Sequence, residues 1–309
     1  MTTSGKKIAS LLPSATEIVY ALGLGDDLIG VTDECDYPPD AVTKPVISRS
    51  TLPQGRVQTP REIDDAVRRR AGQTGSPFVL DTDLLRRERP EVILTQDLCR
   101  ICAVPAGQVR QALEQIGLPD AEVVSLDPTT LDEAIAQIEV AGKALDRAEE
   151  AADIAAGLRA RVQAVKLTAT RVPTVSVFAL EWSEPAFSAG RWIPDMIEAA
   201  GGTAVLAEKG QPSKEVAWHE VRAAAPEVIV FMPCGYYLEE AEAEAGDFID
   251  HPEFADTPAV RNGNVYAVDA TSFFSRPGPR IVDGLEILAW AVHPDFYPPP
   301  PDGTIAKLG

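Results

Sequence analysis

The chain has 309 residues, 45% hydrophobic and 24% charged, with a formal net charge of −19, which suffices for two globular domains with full cores. Such acidity excludes nucleic acid and anionic membrane surfaces as partners, because both are held by clustered Lys and Arg, and the only basic triple is Arg68-Arg69-Arg70. No run reaches the ~18 apolar residues of a membrane span, so membrane insertion is not expected either.

Lys6 and Lys7 precede a stretch that holds Pro13, Ser14, Thr16 and Glu17, unlike a secretory h-region, so the sequence predicts a cytoplasmic chain. Lys7 to Leu12 reads as a buried strand and Ser14 to Leu22 as a helix, with Ser14 and Glu17 in capping-box spacing. Strands follow over Leu28–Thr32 and Pro45–Ser48, then helices over Thr59–Gly72 and Asp81–Arg89 around a loop of residues 72–77. Glu91–Thr95 is a strand, Gly107–Ile116 a helix and Glu122–Leu126 a strand.

From Thr129 to about Lys166 there is no proline, and the only glycines are Gly142 and Gly157. Leu131, Ile135, Ile138, Leu145, Ala152, Leu158, Val162 and Val165 recur at helical spacing. Thr129 supplies a cap after Asp127-Pro128. One helix of this length would span roughly 55 Å, more than a domain's width, which makes it a rigid spacer between two lobes. The alternative is two helices broken near Gly157, since glycine costs a helix only ~1 kcal/mol.

The second half repeats the pattern: strands over Thr174–Leu180, Glu227–Met232 and Asn264–Val268, and helices over Ile193–Ala200, Glu215–Ala224, Tyr237–Ala245 and Pro279–Val292. The closing Pro298–Pro301 run reads as an extended tail. Alternation of strand and helix implies parallel sheets covered on both faces. The fold class is α/β: two Rossmann-like lobes, residues 1–128 and 169–309, joined by one long backbone helix at 129–168.

In open α/β sheets ligands bind outside the carboxyl ends of the strands, which selects the exit loops. The first lobe offers Tyr37, Gln96 and Asp97 there; the second offers Trp182, Phe187, Trp192, Tyr236, Phe273, Phe274 and Arg276. Aromatic residues are only 6% of the chain, so their gathering in these loops points to an aromatic-lined cleft for a small molecule. Cys99 and Cys102 have ligand spacing, and Cys35 and Cys234 also lie in exit loops. In a reducing compartment these four could hold zinc or an iron–sulfur cluster, or stay as buried thiols. No nucleophile elbow or phosphate-binding glycine loop is present, so no enzyme activity is expected.

Leu11-Leu12-Pro13-Ser14-Ala15-Thr16-Glu17, Asp36-Tyr37-Pro38-Pro39, Arg89-Pro90-Glu91-Val92-Ile93, Phe187-Ser188-Ala189-Gly190, Ala225-Pro226-Glu227-Val228-Ile229 and Phe274-Ser275-Arg276-Pro277-Gly278-Pro279-Arg280 together resemble the substrate-binding proteins of cobalamin and iron-siderophore ABC importers, which have the class III periplasmic-binding-protein fold. The match is nearest to the cobalamin-binding members and runs from about Lys7 to Val292. The resemblance implies a non-catalytic protein that holds a corrinoid or similar macrocycle, cobalamin first, in the cleft between its lobes. By position Tyr37, Phe187 and Arg276 match residues that contact the corrinoid. Alternatives are an intracellular metal or iron–sulfur protein using the four cysteines, and a siderophore or haem receptor. The family's two docking glutamates fall near Asp83 and His219, with Glu220 adjacent, so docking to an ABC permease is not expected.

Overall fold

The structure, a computed structural model, describes residues 5–51, 59–74, 78–97, 104–249 and 251–308. It divides into two compact units: Met1–Asp127 with Ile135–Ala156, and Pro128–Ala134 with Gly157–Gly309.

The first unit runs β1 (Ile8–Ser10), α1 (Pro13–Ala21), β2 (Leu28–Thr32), β3 (Val46–Ser50), α2 (Pro60–Thr74), β4 (Phe78–Leu80), α3 (Thr82–Glu88), β5 (Val92–Thr95), α4 (Ala106–Gln115) and β6 (Glu122–Ser125). Its described sheet has the order β4-β3-β2-β1-β5-β6, parallel throughout except that β4 runs antiparallel to β3. β1 and β5 are interior strands buried along their whole length, and each runs apolar up to a closing Ser10 or Thr95 rather than alternating. Ile47, Phe78, Leu85, Ile93 and Leu113 pack together in its core. The short edge strand β4 went unread in the sequence.

Ser14 does not cap α1. Pro13 takes the first helical position and Leu12 becomes the flanking residue without a side-chain cap; Ser14 and Glu17 are therefore inside the helix, and both are buried. Asp81 does cap α3, accepting the Leu84 N–H at 2.8 Å.

The long stretch is two helices, α5 (Leu131–Ala144) and α6 (Ala148–Ala169), and the break lies at 145–147 rather than at Gly157. Its N-terminus is capped one residue later than expected: Thr130 Oγ1 accepts the Glu133 N–H at 3.2 Å, and Glu133 accepts the Thr130 N–H at 3.3 Å. At the break Asp146 adopts a left-handed φ of 56°. The Arg147 N–H returns to the Gly142 carbonyl at 2.7 Å. The Lys6 ammonium donates to the Ala144 carbonyl at 2.7 Å and pairs with Asp146 at 2.8 Å. A side chain from the far N-terminus thus satisfies a helix end, which helical periodicity cannot register. α6 continues unbroken through Gly157, where the first unit gives way to the second.

The second unit contains β7 (Val175–Ser183), β8 (Ala186–Ser188), α7 (Ile193–Ala199), β9 (Gly202–Ala204), β10 (Lys214–Glu215), α8 (Trp218–Ala224), β11 (Val228–Phe231), α9 (Leu238–Ile249), α10 (Pro252–Ala255), α11 (Pro258–Arg261), β12 (Val265–Val268), α12 (Ala270–Phe273), α13 (Ile281–Val292) and β13 (Ile305–Leu308). The described sheet is ordered β10-β8-β7-β11-β12-β13, with β9 also on β7. β9, β7, β11 and β12 are parallel; β8, β10 and β13 are antiparallel additions. Phe178, Phe231 and Phe254 are fully buried in its core. The Pro298–Pro301 run is not a free tail, since it leads into β13, which pairs with β12 from Val265↔Leu308 to Val268↔Ile305. No helix among the described residues is long and apolar enough to cross a membrane.

Candidate functional site

In the first unit the loops after β2 and β5 carry the expected groups. Tyr37 is 44% exposed and precedes Pro38 in a cis peptide. Gln96 is buried directly after β5. Asp97 is committed to the scaffold: its carboxylate accepts the Ala106 N–H at 2.8 Å at the start of α4, and its own N–H donates to Asp127 at 2.6 Å. It therefore holds the start of α4. Cys35 is buried, with its sulfur 3.1 Å from Thr16 Oγ1 and 3.2 Å from Thr32 Oγ1.

The second unit assembles an aromatic platform. Trp182 on β7 stands opposite Phe187 on β8, and directly opposed residues project to one face of a sheet. Tyr236, in the loop after β11, meets Trp182 edge-to-face with ring centroids 5.8 Å apart. Two hydrogen bonds hold these rings: the Trp182 indole donates to the Glu184 carbonyl at 3.2 Å, and the Thr271 N–H donates to the Tyr236 carbonyl at 3.0 Å. Burial, then the nearby Glu244 and Glu240 carboxylates, push the Tyr236 phenol up to about 12, so it stays a neutral hydrogen-bonding group.

Trp192 and Phe274 belong to the support behind this platform. Both are buried, and the Trp192 indole donates to the Phe274 carbonyl at 2.8 Å. Arg276 is buried in the following loop. Phe273 departs from the others: its half-buried ring lies under the Arg280 guanidinium, 5.6 Å from the ring centre, and lines a cavity against α6 and α13.

Sequence reasoning passed over Glu181. Its carboxylate accepts from the Ser213 hydroxyl and from the Gly190 N–H beside the Arg191 charge. Burial nonetheless pushes it above the usual carboxylate range. Gly190 is required where it stands, because a Cβ there would lie 2.5 Å from backbone atoms of Gln211, Pro212 and Ser213. Glu181 is the extra residue where the β7–β8 register shifts between Leu180 and Trp182, and its contacts tie that irregularity to Ser213 and Gly190. The readable signal was a lone glutamate ending the apolar strand of Val175 to Leu180.

The four-cysteine set does not come together among the described residues. Cys35 belongs to the first unit and Cys234, exposed in the loop after β11, to the second; Cys99 and Cys102 lie outside the described residues. Among the described residues no three His, Cys, Asp or Glu side chains group so as to hold a metal. The hydroxyls around Cys35 account for its sulfur as a small buried thiol.

Of the two positions aligned with docking glutamates, Asp83 is exposed on α3 and paired with Arg86 at 2.7 Å, while His219 is exposed in the first turn of α8. The adjacent Glu220 is engaged locally, accepting the Ala217 N–H at 2.8 Å.

Two α/β units on parallel sheets, with aromatic and polar groups at the strand ends, define a ligand-binding protein of the periplasmic type. The chain belongs to the periplasmic binding protein family, whose model matches residues 8–271. The vitamin B12-binding protein of Vibrio cholerae serotype O1 is 26% identical over 283 residues, covering 91% of this chain and 87% of its own. Two solved structures share the fold. The periplasmic vitamin B12-binding protein of Vibrio cholerae superposes with a TM-score of 0.68 at 23% identity, over 94% of this chain and 97% of its own. A periplasmic heme-binding protein of Pseudomonas aeruginosa gives 0.71 at 18% identity, over 99% and 98%. As a member of this family the chain is a non-catalytic ligand binder.

The family overturns the expected cytoplasmic location, since its members and the Vibrio cholerae structure are periplasmic. That expectation rested on reading the residues after Lys6 and Lys7 as unlike a secretory h-region. With it goes the reducing compartment that had favoured thiolate metal ligands.

Proposed function

We propose that this chain binds a corrinoid, with cobalamin as its reference ligand, and that the exit loops carry the binding groups. The observation behind this reading is the Phe187–Trp182–Tyr236 platform, in a chain that matches a protein named for vitamin B12 binding along 91% of its length. A flat, amide-fringed macrocycle suits such groups: aromatic faces cover the ring, and a neutral phenol and a guanidinium meet the amides. Trp182, Phe187 and Tyr236 serve as ring contacts, with Tyr37, Gln96 and Arg276 as the polar contacts, while Trp192 and Phe274 brace each other and Asp97 holds the start of α4. This reading implies a permease of an ABC importer as the partner, in place of the expectation drawn from Asp83 and His219.

Titrating the purified chain with cyanocobalamin, followed by visible absorbance and calorimetry, tests the proposal. Saturable binding that weakens in Trp182→Ala and Tyr236→Ala is the expected result. Absence of binding in the high micromolar range rejects the corrinoid, and saturable haem binding in the same series would put a haem in its place.

A further inference from the structure

We propose that the second unit carries a separate ligand site, a cavity of about 490 Å³ between α6, α13 and the Pro298–Pro301 run, that accepts a small amphiphilic monocation. The volume falls within the range of small-molecule pockets. The inference does not depend on the corrinoid reading, because the platform residues Trp182, Phe187 and Tyr236 are not among its walls.

The walls are apolar and held in place. Val165 and Ile287 face in from the two helices, and Phe273, Phe296 and Tyr297 supply three aromatic rings. Tyr297 is anchored by its hydroxyl, which donates to the Val165 carbonyl at 3.0 Å. Thr304 Oγ1 donates to the Pro301 carbonyl at 2.7 Å and so ties down the end of the proline run. Phe296 meets the His293 ring edge-to-face with centroids 6.3 Å apart and remains 53% exposed on the cavity side.

The rim decides the sign of the charge. Arg161 donates from Nε to Glu286 at 2.9 Å, from Nη2 to Glu286 at 2.7 Å, and from Nη2 to Asp283 at 2.5 Å. Among the lining side chains one guanidinium thus faces two carboxylates, a net charge of −1, and the Arg280 guanidinium lies outside the walls, over the Phe273 ring. Both Glu286 oxygens are engaged, whereas Asp283 uses one and presents Oδ2 without a partner among the described residues. An ammonium seated at Asp283 Oδ2 would neutralise the charge of the lining side chains, and its apolar body would lie against the Phe296 and Tyr297 rings. An anion would meet the uncompensated carboxylate, and a neutral ligand would leave it unpaired.

The test titrates the full chain with 2-phenylethylammonium and, as the uncharged control of the same shape, with 2-phenylethanol, followed by amide NMR shifts. Expected is saturable binding of the cation about tenfold tighter than of the alcohol. Asp283→Asn should remove that preference. Ala164→Phe, at an exposed position of α6 on the cavity wall, should abolish binding while leaving the unfolding transition unchanged. The proposal is overturned if the cation does not saturate, if the alcohol binds equally well, or if Ala164→Phe binds like the parent chain.

Discussion

Two glycines in the α5–α6 stretch should respond to the same substitution with opposite signs. Gly157 is exposed within α6, and a Cβ built there meets nothing within 4 Å. Gly157→Ala therefore gains the helix propensity of alanine, ~0.5–1 kcal/mol. Gly142 is buried in α5; a Cβ there would fall on the Ala151 Cβ, well inside van der Waals distance, and 2.8 Å from the Arg147 carbonyl oxygen. Neither neighbour is a flexible side-chain end, so relief requires the backbone of the helical hairpin to move. Overpacking of this kind costs ~1–3 kcal/mol, and rigid neighbours put it in the upper half of that range. After the propensity gain, Gly142→Ala should be destabilised by about 1–2 kcal/mol. The unfolded chain loses the same freedom in both variants, so their difference, ~2–3 kcal/mol, isolates the close approach of α5 and α6. Urea unfolding monitored by far-UV circular dichroism, with amide exchange on α5 and α6 to assign the transition to a unit, measures it. If Gly142→Ala is as stable as Gly157→Ala, the tight hairpin is wrong, and with it the turn at 145–147.

Two further substitutions examine the support of the aromatic platform. Trp192→Phe removes the donor to the buried Phe274 carbonyl and should destabilise the second unit by ~1–3 kcal/mol; a loss below about 0.5 kcal/mol in urea would mean that this carbonyl finds other partners. Glu181→Gln should change how stability depends on pH. The folded carboxyl titrates above its ordinary value because it is buried, so the native state keeps its proton where the unfolded chain has released it. That contribution is complete below the ordinary carboxyl value and is lost as pH rises through the raised one. Between those values the melting temperature of the parent chain should fall more steeply with pH than that of Glu181→Gln, and equal slopes would refute the buried carboxyl.

The sequence carried the parallel strands well because each is short, apolar and bounded by turns, as in Leu28–Thr32 and Val92–Thr95. It carried the antiparallel additions poorly. β4, β8, β10 and β13 have two to four residues each, too few for alternation to register, and their partners are set by tertiary pairing. The helix break escaped for a related reason. Leu145 continues the apolar stripe, and what stops α5 is Asp146 in a left-handed conformation with Lys6 on the Ala144 carbonyl and the Asp146 carboxylate. Residue type located the exit-loop aromatics but not their duties: Trp182 and Trp192 look equivalent in the chain, yet one forms the platform and the other binds a backbone carbonyl behind it.

The four-residue helix α12 shows why this matters for dissecting function. Phe273 and Phe274 are neighbours, yet Phe274 lies in the core and offers its carbonyl to Trp192, while Phe273 turns its ring to the cavity lined by the prolines. Thr271, two residues earlier, donates its N–H to the carbonyl of Tyr236. A single turn therefore supports the aromatic platform and walls the second cavity at once. Close packing transmits small displacements, so a substitution at Phe273 or Phe274 would perturb both, and its phenotype could not be assigned to either. Trp182 and Tyr236 report on the platform alone, and Ala164 and Asp283 on the cavity alone, since neither pair touches α12 through a hydrogen bond of its own side chain. Combining one substitution from each pair gives a direct measure of independence: separate sites give additive changes in ligand affinity to within about 0.5 kcal/mol, whereas a larger interaction term would mean that α12 couples the two proposed sites.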